Sequence, residues 1–149
     1  MLSAKPTHWW SQDYRISDGQ TPIATLTVGK LRERETFSVQ GKQYKVIKEG
    51  FFSPTFYLKE NEKTVIEASR SGVFSRSFTW TLNGMPYTLG SAAWYSNNFN
   101  VFRSETRIGS IRRRHWYSGV DLPQNVPLEI QIFALWLVVL QWKQNSGSS

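Results

Sequence analysis

LEIQIFALWLVVLQW, Leu128 to Trp142, is the stretch whose reading decides the fold. Its only polar members are Glu129, Gln131 and Gln141, all near its ends, so a helix drawn through it is apolar on every side. Pro127 suits the first turn of such a helix and Glu129 favours its N-terminal end. Lys143 and Asn145 suit the other end. The pattern predicts a helix over about 127–143. A helix of this kind lies either inside a protein or inside a bilayer. Fifteen residues span roughly 22 Å, short of the ~30 Å hydrocarbon core. Burial inside the protein is therefore expected, and a buried helix needs a container.

The rest of the chain supplies one. Aromatic-Ser pairs recur at Trp10-Ser11, Phe52-Ser53, Phe74-Ser75, Tyr95-Ser96 and Tyr117-Ser118, the last four stepping by 22, 21 and 22 residues. The first gap, 42, is a double step. Around four of the pairs the pattern widens, as in WWSQDYRI from Trp9, FFSPTFYL from Phe51, VFSRSFTW from Val73 and WYSNNFNV from Trp94. Composition alone would produce on the order of 0.01 matches to the stricter form, so this is an internal repeat. Halfway between successive pairs stand Asp18-Gly19, Gln40-Gly41, Glu60-Asn61, Asn83-Gly84 and Ser104-Glu105, several of which supply the positive φ of tight hairpin turns. The flanking stretches are rich in Val, Ile, Thr, Tyr and Phe, with partial alternation. Each unit reads as strand, tight turn, strand and then a wider turn at the aromatic-Ser pair, where the serine is expected to bond backbone and the aromatic to cover the sheet end. Near Leu31 one pair is missing, replaced by the charged run Arg32-Glu33-Arg34-Glu35. After Tyr117-Ser118 the beat stops, because Asp121 and Pro123 stand where the aromatic and apolar positions should be.

Five hairpins in sequence order and one all-apolar helix fit a mainly β fold. The expected form is a closed antiparallel barrel of consecutive hairpins, 10–12 strands, enclosing the C-terminal helix. A propeller needs at least four blades of ~40 residues, too many for this chain. A trefoil would have to spend the apolar helix as strands. Residues 1–145 read as one domain and 146–149 as a flexible tail.

The segment Phe51 to Leu58, its echo at Trp94 to Val101 and the apolar helix after Asp121 resemble the LURP-one-related group, which belongs with tubby C-terminal domains and phospholipid scramblases. The resemblance runs from about Trp9 to Trp142 and implies twelve strands around a hydrophobic helix. The chain departs from the group in its missing second pair and in the ten strands that five hairpins provide. Tubby domains are known for phosphoinositide binding, so the resemblance also implies a lipid-docking role.

Composition narrows the chemistry. The 149 residues contain no Cys, which removes disulfides, thiolate metal sites and thiol nucleophiles. His8 and His115 are the only histidines and have no carboxylates at triad or ligand spacing. Gly72, Gly84 and Gly90 are isolated, so there is no phosphate loop. Asp121 reads as a cap on the helix approach. The expectation is a non-enzymatic protein without a cofactor or metal. The start MLSAKPTHWW has no apolar stretch of signal length, which points to a cytoplasmic protein, peripheral to a membrane if lipid-bound, and a monomer is expected.

Net charge is +7, and the cations cluster. Arg103 to His115 holds five Arg, among them Arg112, Arg113 and Arg114, against Glu105. Lys42, Lys45 and Lys48 lie on one hairpin. These six are the candidate contacts to anionic membrane phospholipid through a basic outer face. The alternative is a protein-interaction or scaffolding barrel whose charge serves solubility alone. Lipid scrambling ranks third, since the chain lacks the Cys, the proline-rich segment and the span of the eukaryotic scramblases. Nucleic acid ranks last, because the periodic aromatics are better used as turn anchors.

Overall fold

The computed structural model describes residues 2–6, 13–27, 34–50, 53–70, 77–91, 98–113 and 118–147. Among them are twelve strands: β1 (Leu2–Pro6), β2 (Asp13–Asp18), β3 (Thr21–Thr27), β4 (Arg34–Val39), β5 (Lys42–Glu49), β6 (Thr55–Glu60), β7 (Lys63–Arg70), β8 (Phe78–Leu82), β9 (Met85–Ser91), β10 (Phe99–Arg103), β11 (Thr106–Arg113) and β12 (Ser118–Asp121). One helix, α1 (Leu128–Gly147), follows. The five hairpins expected from the turn signals are β2–β3, β4–β5, β6–β7, β8–β9 and β10–β11. The two further strands are short: β1 pairs with both β2 and β12 and so ties the two ends of the β region together.

The turns carry the backbone their residues favour. Asn83 and Gly84 both have positive φ, 53° and 76°, as the two central positions of a type I′ turn require. Gln40 and Gly41 do the same at 53° and 78°, the glycine without a Cβ to strain. All five tight turns fall at one end of the barrel, here the hairpin end. The links between hairpins fall at the other, the connection end.

All pairings are antiparallel, in the order β3-β2-β1-β12-β11-β10-β9-β8-β7-β6-β5-β4. The outermost strands, β3 and β4, approach each other closely, so the sheet is nearly a closed barrel. Their link is the segment 28–33, where the aromatic-Ser pair is missing. The seam of the barrel thus coincides with the gap in the repeat. The pairs themselves fall in the links, between β1 and β2, β5 and β6, β7 and β8, β9 and β10, and β11 and β12. Apart from Ser53 and Ser118 their residues lie outside those described, as do the bonds and aromatic covers expected of them. Ser118 opens β12 and is buried.

Alternation fills the barrel. Phe56 and Leu58, Phe78 and Trp80, and Phe99 and Val101 point inward from β6, β8 and β10, none more than 4% exposed. They meet a helix buried on every side: Leu135 and Trp136 are 0% exposed and Val139 1%. Trp136 packs edge-on to Phe56 and stacks on Phe133, at ring-centroid distances of 6.0 Å in both cases. The wall and the plug therefore share one core. Among the described residues no helix is long and apolar enough to cross a membrane.

The helix runs through Gly147, four residues beyond the end expected at 143, so residues 146 and 147 are helical instead of tail. The polar run Lys143-Gln144-Asn145-Ser146 lacks the apolar pattern that marks the buried part, which hid its continuation from the sequence. At the other end of the helix, β12 stops at Asp121 and the chain turns back through Leu122–Pro127. Gly109 makes room for that exit. A Cβ there would collide with the Asp121 carbonyl oxygen and crowd a methyl of Leu122.

Candidate functional site

Topology sorts the charges by end. On the described side chains, Lys5, Arg15, Lys48, Arg70, Arg112 and Arg113 stand at the connection end against Glu35 and Glu49. The hairpin end holds Lys42, Lys59, Lys63, Arg103 and Arg107 against Asp18, Glu60, Glu62, Glu105, Asp121 and Glu129. The first is clearly net positive, while at the second the charges nearly balance.

This sorting redistributes the six cations picked out from sequence. Arg112 and Arg113 end β11 at the connection end, both exposed. The Arg113 guanidinium lies 5.4 Å from the ring centre of Trp142 on the plug helix, a cation-π contact. Its backbone N–H donates to Asn98 Oδ1 at 3.4 Å. Arg114 lies outside the described residues. Lys48 shares the connection end, yet it stands on β5, six strands from β11 and hence across the barrel. Lys45 faces outward from mid-strand, paired in register with Lys59. Lys42 is at the hairpin end, 3.9 Å from Glu60 Oε1. The two clusters therefore do not make one outer face. What Arg112, Arg113 and Lys48 share is an end.

Arg70, which the sequence reading passed over, belongs to this end too. In register with buried Phe78, it points toward the barrel axis, with its guanidinium 5.9 Å from the ring centre of Phe56 and 5.5 Å from that of Phe78. Burial holds its pKa below the ordinary value, a sign that desolvating the cation is costly, and the two ring faces offset part of that cost. Its place two residues beyond Ala68 on an inward-facing row was the available signal. Nearby, burial raises the pKa of Tyr14, while the Arg113 charge works against it. Two further polar side chains are buried at this end, Glu35 and Gln141.

The hairpin end has a different character. A cavity of about 530 Å³ lies between the first turns of α1 and the walls of β7 to β11. Its lining is mostly apolar and includes Ile130 and Ala134, one helical turn apart on the plug. Trp80 and Tyr87 also line it, stacked at 6.0 Å with planes 5° apart. Arg103, Glu129, Asn83 and Asn125 are its polar members. Glu129 also acts on Tyr44, whose pKa is raised first by burial and then by the charges of Glu129 and Glu60.

Among the described residues no group of three His, Asp or Glu side chains is placed to hold a metal ion. His8 and His115 lie outside the described residues. Compared with protein-family models, curated proteins and solved structures, the chain has no match.

Proposed function

We propose that the protein is a non-enzymatic module that docks end-on, through its connection end, onto membranes carrying anionic phospholipid. The observation that carries this reading is the sorting of charge between the two ends of one barrel. A cation near an anionic leaflet contributes about 1 kcal/mol, and the effect fades within a Debye length. Cations gathered at one end act together on a flat surface; the same number spread around a wall cannot. The hairpin end, where the charges nearly balance, would then point away from the membrane.

The same end suits an interface in a second respect. Arg113 rests on Trp142, a cation-π contact that holds the guanidinium in place at this end. The sequence resemblance to the LURP-one-related and tubby-like proteins points in the same direction. Docking needs neither a catalytic group nor a span, only a rigid body that presents charge, and a plugged barrel is rigid.

Co-sedimentation with vesicles tests the reading. Binding should require anionic lipid and weaken steeply between low and moderate salt. Reversal at the connection end, R112E/R113E, should abolish it, whereas K42E/K63E at the hairpin end should not. Equal binding to neutral vesicles, or equal loss from both pairs, would refute end-on docking and favour a protein partner.

A further inference from the structure

We propose that the cavity at the hairpin end binds a small amphiphile with a zwitterionic head. This site lies at the opposite end from the docking surface and stands without it. Interiors of domains this size hold few voids larger than a water molecule. A cavity of about 530 Å³ falls within the range of small-molecule sites, and at ~30 Å³ per water-sized group it holds roughly 17 non-hydrogen atoms.

The cavity exists because of a local choice in the plug. Ile130 and Ala134 present this face of α1, and the methyl of Ala134 leaves space that a larger neighbour such as Leu135 or Trp136 would occupy. Around it the rim is pinned. Ser104 donates its N–H to the Pro86 carbonyl at 2.8 Å and its hydroxyl to Met85 Sδ at 3.1 Å, which locks the β8–β9 turn to the β10–β11 turn. On the far side Val126 N–H donates to the Pro123 carbonyl at 3.0 Å, and Gln131 Nε2 donates to the Val126 carbonyl at 2.9 Å. Both sides of the mouth are thus held in place before any ligand arrives, so little ordering remains to be done on binding.

Charge identifies the head. Arg103 and Glu129 both line the cavity, and neither side chain has a hydrogen-bond or ion-pair partner among the described residues. A ligand carrying only a carboxylate would gain Arg103 but meet Glu129 as a like charge; one carrying only an ammonium faces the reverse. A head with both signs satisfies both, its phosphate or carboxylate toward Arg103 and its cationic nitrogen toward Glu129. The apolar body then lies along the stacked Trp80–Tyr87 pair and the Ile130–Ala134 face.

The probes are hexylphosphocholine, hexanoic acid and hexylamine, whose size matches the cavity, each added to the full chain below its micelle-forming concentration. Calorimetric titration and the thermal midpoint provide the readouts. Hexylphosphocholine should bind one to one and raise the midpoint, at least tenfold more tightly than either singly charged chain. Ala134→Leu, which fills the cavity, should weaken it tenfold or more. R103A/E129A, both on the rim, should keep the fold and erase the preference among heads. No binding by hexylphosphocholine overturns the proposal, as does binding that ignores head charge, or binding that survives in folded Ala134→Leu.

Discussion

Trp136 is the point where wall and plug are most strongly coupled, and its truncation tests whether the helix really is the core of the barrel. Its side chain is 0% exposed, edge-on to Phe56 at 75° and stacked on Phe133 at 29°. Trp136→Ala removes the largest of the fully buried side chains from a site closed by strands. A rigid barrel cannot collapse into the space, so the cost should sit in the upper part of the usual range, about 4 kcal/mol. In a domain this size that corresponds to a fall in thermal midpoint of roughly 8–16 °C. Trp136→Phe should cost much less. Phenylalanine keeps most of the apolar volume, and it removes an indole N–H that has no hydrogen-bond partner among the described residues. Thermal and urea unfolding of the two variants give the contrast. A midpoint shift below about 4 °C for Trp136→Ala would refute the enclosed plug, since only a solvent-facing helix tolerates that loss.

The other predictions concern the exit from the barrel, alkaline pH and charge. Gly109→Ala should destabilise by about 1–3 kcal/mol in urea unfolding, because its methyl would meet the Asp121 carbonyl; an unchanged midpoint would show that the chain leaves β12 by another path. Tyr14 and Tyr44 are both shifted above the ordinary value of 10.0, so the fold keeps their protons where the unfolded chain loses them. That stability is complete below pH 10 and is lost as pH rises through the raised values. The urea midpoint should therefore drop above pH 10, and less so in Tyr44→Phe; equal loss in both would sink the assignment. R112E/R113E should weaken binding to anionic vesicles by at least roughly 30-fold, at about 1 kcal/mol for each cation removed, while the lost contact of Arg113 with Trp142 lowers the thermal midpoint by only about 2–4 °C.

Much of the fold was legible because two signals of different period reinforced each other. The 22-residue beat marked hairpins, and the apolar run from Leu128 to Trp142 demanded a sleeve. Positive φ at Asn61, Asn83 and Ser104 lay where the midpoints of the beat fell. The two strands that escaped notice, β1 and β12, are short and share no tight turn with their neighbours, and the pairing between them joins residues more than a hundred positions apart. Pairing at that distance leaves no local pattern to read. The candidate site was less legible for a related reason. Clusters such as Arg112-Arg113 and Lys42-Lys45-Lys48 are neighbours along a strand, whereas charge in a barrel is organised by which end of each strand a residue occupies. Lys42 and Lys48, six residues apart, stand at opposite ends. Arg103 and Glu129 come together only because the plug enters beside β10.

End-on docking can be read from depth directly. The chain has no cysteine, so a single one introduced at Ser69, exposed near the connection end, or at Glu62, exposed at the hairpin end, carries one environment-sensitive fluorophore without competition. On anionic vesicles the label at residue 69 should shift to the blue and be quenched by lipid-borne quenchers, while the label at residue 62 should stay as it is in water. The same response at both positions, or a response at residue 62 alone, would contradict the account.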